Sequence, residues 1–384
     1  MTKNLFKKNY KNMALVMPVF LGSFIFPGVA YAYKINSFEI EIRGAVSGAY
    51  DDNITYVKQD RKTDFTVTPL AGVGIKQDGK THDFLFNGNI KRELFAENNR
   101  YNNTAEDFNV SYSNDLSKKD TLIVTDTFVH AEEPRSFEDA FGRISGRYSY
   151  YTNKLNLRYS REISKQFRVL GRYENDIDLF SRVDLHDSYL NSAGVEADYI
   201  INSDVTVLVS YDYLRRLFDP GGGAYANTVS AGFSYNLTKR IFFSCLTGLD
   251  LINSYDKKDH TKPFVFTKIE GEIDDTTRAD LSFKYKTYSF PYFEDYFDYW
   301  QFSGTFTKEV LERLTLSAMF FFGNGKYIDY GLKYGIAGVG GALTYDINDK
   351  IKASLSYSYS GVDSNLEFQE YDKNVVALTV TVVF

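Results

Sequence analysis

The chain has 384 residues, of which 31 are Tyr and 32 are Phe but only one is Trp, and its formal charge is −6. Four of its 44 basic residues precede position 33 and all 50 acidic residues follow it, so the remainder, near −10, is poorly suited to a nucleic-acid partner. A single cysteine, Cys245, excludes an internal disulfide and reads as a small apolar wall residue.

The N-terminus carries Lys3, Lys7, Lys8 and Lys11, then the apolar run Met13 to Phe26, then Ala30-Tyr31-Ala32. That order of charge, grease and small residues is a secretory signal. The run is short and broken by Pro18 and Pro27, which disfavours a spanning helix. The expectation is a cleaved signal peptide over 1–32 and one domain over 33–384. No later apolar run is long enough for a membrane helix.

The rest of the chain alternates with a period of two. Phe38, Ile40 and Ile42 alternate with Glu39, Glu41 and Arg43, and Val205, Val207, Val209 and Tyr211 alternate with Thr206, Ser210 and Asp212. Each run is a strand with one apolar and one polar face. After Gln77-Asp78-Gly79-Lys80, short turns follow Leu116, Ile163, Ile201, Leu237, Ile273, Leu311 and Ile347. From residue 163 they recur about every 36 to 38 residues, one long hairpin per repeat. Longer polar stretches intervene at 133–140, 180–187, 219–224, 255–262, 291–296, 323–330 and 361–371.

Short turns on one side, long loops on the other and strands of roughly 10–14 residues fit a membrane barrel better than a soluble sandwich. The fold expected is all-β, a transmembrane antiparallel β-barrel of about 18 strands (16–18), with short periplasmic turns and longer extracellular loops. Its place is the bacterial outer membrane, in contact with membrane lipids. The closing run Val375 to Phe384 puts Val376, Leu378, Val380, Val382 and Phe384 on one face. It resembles the last strand of outer-membrane barrels, in which a terminal Phe marks the segment read by the barrel-assembly machinery. Phe384 is therefore the expected assembly signal.

Following the first strand, Tyr50-Asp51-Asp52-Asn53-Ile54 resembles the motif carried at that place by the β-barrel porin 2 family. The resemblance implies a porin-like channel and, since many members occur with exopolysaccharide systems, polysaccharide-export components as partners. Physically, Asp51, Asp52 and Asn53 offer oxygen ligands for a hard cation, or Asx side chains that satisfy their own backbone. The second reading is preferred, so no metal and no cofactor are expected.

Inward parity gathers charge in the middle strands. Arg158, Arg168, Arg172, Glu174, Glu196, Asp198, Asp212 and Arg216 are the expected pore-lining residues, selecting polar solutes as charged rings do in channels. Mutual salt-bridging in a wide polar interior is the alternative.

Two other function classes compete with a channel. A structural or adhesion barrel would have no open lumen. A barrel lipase or protease would need a nucleophile within reach of a base at the outer rim. Among His82, His130, His186 and His260, the best placed is His130, near Glu132 and Glu133, and it reads more simply as a solvated strand end. No enzyme is expected. Asp219-Pro220-Gly221-Gly222-Gly223 lacks the following helix of a phosphate loop and reads as a flexible loop, a candidate to fold into the pore.

Overall fold

The computed structural model describes residues 33–35, 37–254 and 258–384. The expected signal segment, 1–32, lies outside the described residues. A short strand β1 (Tyr33–Ile35) precedes eighteen long ones. The first nine are β2 (Phe38–Asp51), β3 (Asp64–Asp78), β4 (His82–Phe95), β5 (Asn103–Asp115), β6 (Asp120–Ala131), β7 (Tyr150–Glu162), β8 (Phe167–Phe180), β9 (Asp187–Ile200) and β10 (Val205–Asp219). The rest are β11 (Gly223–Asn236), β12 (Ile241–Ser254), β13 (His260–Glu272), β14 (Thr277–Tyr288), β15 (Phe297–Leu311), β16 (Leu314–Tyr327), β17 (Lys333–Asp346), β18 (Ile351–Ser364) and β19 (Tyr371–Val383).

Each strand pairs antiparallel with the next, and β19 pairs with β2 from Val375↔Asp51 to Val383↔Arg43. The eighteen strands form a closed antiparallel barrel. Closure leaves no strand edge unpaired, which a bilayer demands because it offers no water to free N–H and C=O groups. No described helix is long and apolar enough to cross a membrane.

Alternation decides the facing. Val46, Val195, Val209, Val229, Leu249, Leu355 and Leu378 are about half exposed on the outer wall. A continuous apolar belt of this kind is what lipid tails solvate and water does not. The opposite parity carries the charges, as read from the sequence. At the seam the Phe384 N–H donates to Ile42 O at 2.9 Å, and Ile42 N–H donates back at 3.4 Å. The terminal residue thus completes the ladder that joins the chain's two ends. Removing Phe384 is expected to lower the amount of assembled barrel in cells while leaving export unchanged. Quantitative blots of outer-membrane and periplasmic fractions would show it, and normal membrane levels of the trimmed protein would refute it.

Two loop assignments change. Strand β16 runs on to Tyr327 and β18 to Ser364, through Gly323, Gly325 and Gly361, which the sequence presents as loop signals. The connection at 220–222 is a tight turn against the 289–296 loop, where a Cβ on Gly222 would lie 1.7 Å from Glu294 Oε1. It is not the segment that enters the barrel. That segment is 132–149, the irregular connection between β6 and β7.

Candidate functional site

Segment 132–149 folds against the inner wall of β15–β18. Its middle is one helical turn, Phe137–Ala140, capped by the Ser136 side chain, which accepts from Asp139 N at 2.9 Å. Glycines at φ 75° (Gly142) and 114° (Gly146) bend the chain back, a conformation that favours Gly. The wall is shaped to receive it. Phe137 fills a notch at Gly338, where a Cβ would sit 2.5 Å from the ring, and Phe141 fills another at Gly323, at 2.8 Å. Phe297, Tyr299 and Phe321 surround Phe141 edge-on at 5.2, 5.4 and 5.6 Å. Each such aromatic pair contributes roughly 0.5–1.5 kcal/mol beyond its buried area.

Wall side chains then satisfy the segment's backbone. Tyr334 Oη donates to Ala140 O at 2.8 Å, and Tyr327 Oη donates to Gly142 O at 2.7 Å. Gln301 Nε2 donates to Glu138 Oε1 at 2.6 Å. The segment is therefore built into the lumen on the β15–β18 side rather than merely lying near it.

An ionic anchor fixes its ends. The buried Arg147 guanidinium lies 2.7 Å from Glu93 of β4 and 2.7 Å from Glu132, and also contacts Glu133. Lys373 of β19 lies 2.6 Å from Asp51 and 3.5 Å from Glu133, with its ammonium 3.9 Å over the Tyr56 ring. Tyr56 Oη donates to Glu133 at 2.9 Å. Burial alone would raise the Glu133 pKa, but Lys373 and Arg147 outweigh it and hold the carboxyl well below the usual carboxylate range.

Here the Tyr50–Ile54 motif finds its place. Tyr50 faces outward, 53% exposed. Asp51 holds Lys373, and its other oxygen accepts from Asn53 N at 2.9 Å. Asp52 receives both the backbone N–H and side-chain amide of Asn374, each at 2.7 Å. Asn53 Nδ2 donates to Val57 O and Asp372 O at 2.7 and 2.8 Å, and Ile54 is fully buried. These residues clamp the β19–β2 seam and carry Tyr56 and Asp51 to the inserted segment. Their polar atoms are committed to backbone and ion pairs, and no metal-ligating cluster occurs among the described residues.

The other side of the lumen bears the charges. Arg168 Nε lies 2.8 Å from Asp198 Oδ2, and Arg172 reaches Glu196 at 2.7 Å and Asp212 at 2.9 Å. Glu174 pairs with Lys154 at 2.7 Å. Arg216 turns instead to Asp178 at 2.8 Å and to Ser188 Oγ at 2.7 Å. Arg158 makes no ion pair among the described residues. Three of the eight expected residues thus share one cluster, Arg172 with Glu196 and Asp212, and the others lie beside it on the inward face. Sequence reasoning missed Asp176 and Asp178, which the same parity marks, and it missed the inserted segment altogether.

No curated protein matches the sequence. Among solved structures the chain is similar to Pseudomonas aeruginosa OccK2 (OpdF), with TM-score 0.48 and 8% identity over 91% of this chain and 99% of that one. It is also similar to Acinetobacter baumannii OccAB3, with TM-score 0.46 and 9% identity over 90% and 99%. For Pseudomonas aeruginosa OprD the values are 0.44 and 10% over 94% and 98%. Residues 298–384, which take in β16–β19 and nearly all of β15, match the family model described as Putative beta-barrel porin 2.

Proposed function

We propose that the chain is a channel of the Gram-negative outer membrane that passes small polar solutes between segment 132–149 and the charged inner face of β7–β10. The observation that carries this reading is the combination of an apolar outer belt with a charged inner face and a segment built onto the β15–β18 wall, whose far end is held by the β8–β9 loop through Arg182 and Leu185. Eighteen strands enclose more space than wall side chains fill, so a wet passage beside the segment is the natural consequence. Extracellular loops lie on the long-loop side and periplasmic turns on the other. Service to an exopolysaccharide system is the finer form of this proposal and is supported by the family resemblance. A polymer would need the segment displaced, whereas a small solute would not.

Selectivity tests the lining. The carboxylates of β8–β10 outnumber their arginines, and Arg168 and Arg172 are each held in ion pairs. The pore should prefer cations weakly at low salt, with the preference fading as the Debye length shrinks from about 30 Å at 0.01 M to about 3 Å at 1 M. Replacing Arg158, Arg168 and Arg172 together by Gln should strengthen that preference, because Glu196, Asp198 and Asp212 lose their partners. Reversal potentials in planar bilayers measure it, and unchanged selectivity would remove these residues from the path.

A further inference from the structure

The outer wall holds a constellation that the channel reading does not use. His130, near the long-loop end of β6, points outward and stacks on Tyr151 of β7, with centroids 4.2 Å apart and planes 4° from parallel. Its Nε2 lies 3.1 Å from Ser149 Oγ. Its Nδ1 faces Glu106 Oε2 of β5 at 3.8 Å, and both the His130 and Glu106 side chains remain partly exposed. Nucleophile, base and carboxylate therefore stand in the order that acyl transfer uses: Ser149 is within hydrogen-bond reach of His130, and Glu106, at 3.8 Å, must close on the imidazole when substrate is bound. The three residues are far apart in sequence. The register of β5, β6 and β7 assembles them, through Glu106↔His130 and His130↔Tyr151.

The surroundings say what would reach this site. It opens on the outer wall, not the lumen, near the long-loop end of β6 and beside the exposed Tyr151 ring. Phe86, Phe108, Phe128 and Tyr151 form a track across that wall, with successive rings 6.5, 5.9 and 6.4 Å apart, and His130 lies on the last of them. An acyl chain laid along this track would bring its ester to Ser149.

We propose that Ser149, His130 and Glu106 form an esterase site for acyl esters of membrane lipids, reached from the lipid phase. Ser149 Oγ attacks the ester carbonyl carbon as its proton passes to His130 Nε2. The tetrahedral intermediate collapses, the C–O bond to the lipid alcohol breaks, and His130 returns the proton to that alkoxide. Water, deprotonated by His130, then cleaves the acyl-serine to release the fatty acid and restore Ser149. Glu106 is a positioning residue that steadies the imidazolium through Nδ1.

The test uses the full-length barrel in mixed micelles, with a fluorophosphonate probe for the serine and phosphatidylethanolamine as substrate. Wild type should be labelled at Ser149, as peptide mapping would show, and should release fatty acid. Ser149→Ala and His130→Asn should fall to background while keeping the heat-dependent gel shift of a folded barrel. Glu106→Gln should lower kcat by about tenfold or more at unchanged KM. Labelling of wild type no greater than of Ser149→Ala, labelling at another serine, or hydrolysis retained in His130→Asn would each overturn the proposal.

Discussion

Replacing Arg147 with Met should release segment 132–149 from the lumen and raise single-channel conductance several-fold. The guanidinium contacts Glu93, Glu132 and Glu133 at once in a site where its own side chain is 2% exposed. Removing one member of a buried ionic set costs up to about 3–5 kcal/mol, and here Lys373 and Lys91 still partner Glu133 and Glu93 while Glu132 loses its cation. The segment can avoid that cost by undocking, because its anchor is separate from the barrel's hydrogen-bond ladder. The wall remains and the passage widens. Unaltered conductance in a folded variant would show that the aromatic notches alone hold the segment.

Acid should do much less. A carboxylate with a depressed folded pKa adds stability above its unfolded pKa, about 4.3, and that stability is lost as pH falls through the lower, folded value. Glu133 is such a group. Its contribution to docking is therefore fully present from neutral pH down to about 5, and wild-type conductance should stay flat over that range.

The second large effect concerns facing. Val209 of β10 is 57% exposed on the outer wall, whereas Ser192 of β9 faces the lumen beside Glu174 in the ladder. Val209→Arg places a cation in hydrocarbon and should cost roughly 2–4 kcal/mol near the bilayer midplane. Ser192→Arg meets water and a carboxylate, so its folding yield in lipid vesicles should stay near wild type. Equal yields for the two would contradict the assigned faces.

Strand positions and facing were legible because a barrel wall imposes its period of two on every residue. Val207 and Thr206 announce opposite sides whatever lies beyond them. The eight short turns were legible for a similar reason, since a polar pair or run after the last strand residue ends a strand without help from tertiary contacts. Gly323 and Gly338 were not legible. A glycine in a strand signals a loop or a close approach, and only the arrival of Phe141 and Phe137 distinguishes the two.

Segment 132–149 has no period to read, since its order comes from the wall it packs on. Its signals were Phe137 and Phe141 in a stretch otherwise rich in charge, and the tight Arg147 site, whose carboxylates come from two places in the chain. The motif at Asp51 to Asn53, expected to satisfy its own backbone, does so in part through Asn53 N on Asp51, while Asp52 binds Asn374 across the seam. Its further task, tying the seam to the inserted segment through Lys373, depends on a strand more than 300 residues away. The Ser149–His130 contact was hidden for the same reason, because Ser149 belongs to no strand and its neighbour is set by the segment's return path.

The central claim is a water-filled barrel narrowed by residues 132–149. Single-channel recording in planar bilayers, comparing wild type with a variant in which residues 134–146 are replaced by a short Gly-Ser linker, tests it most directly. A small, steady conductance for wild type and a severalfold larger one for the variant is the expected result. Absence of conductance in both, with the barrel folded, would contradict the account and leave a structural barrel in its place.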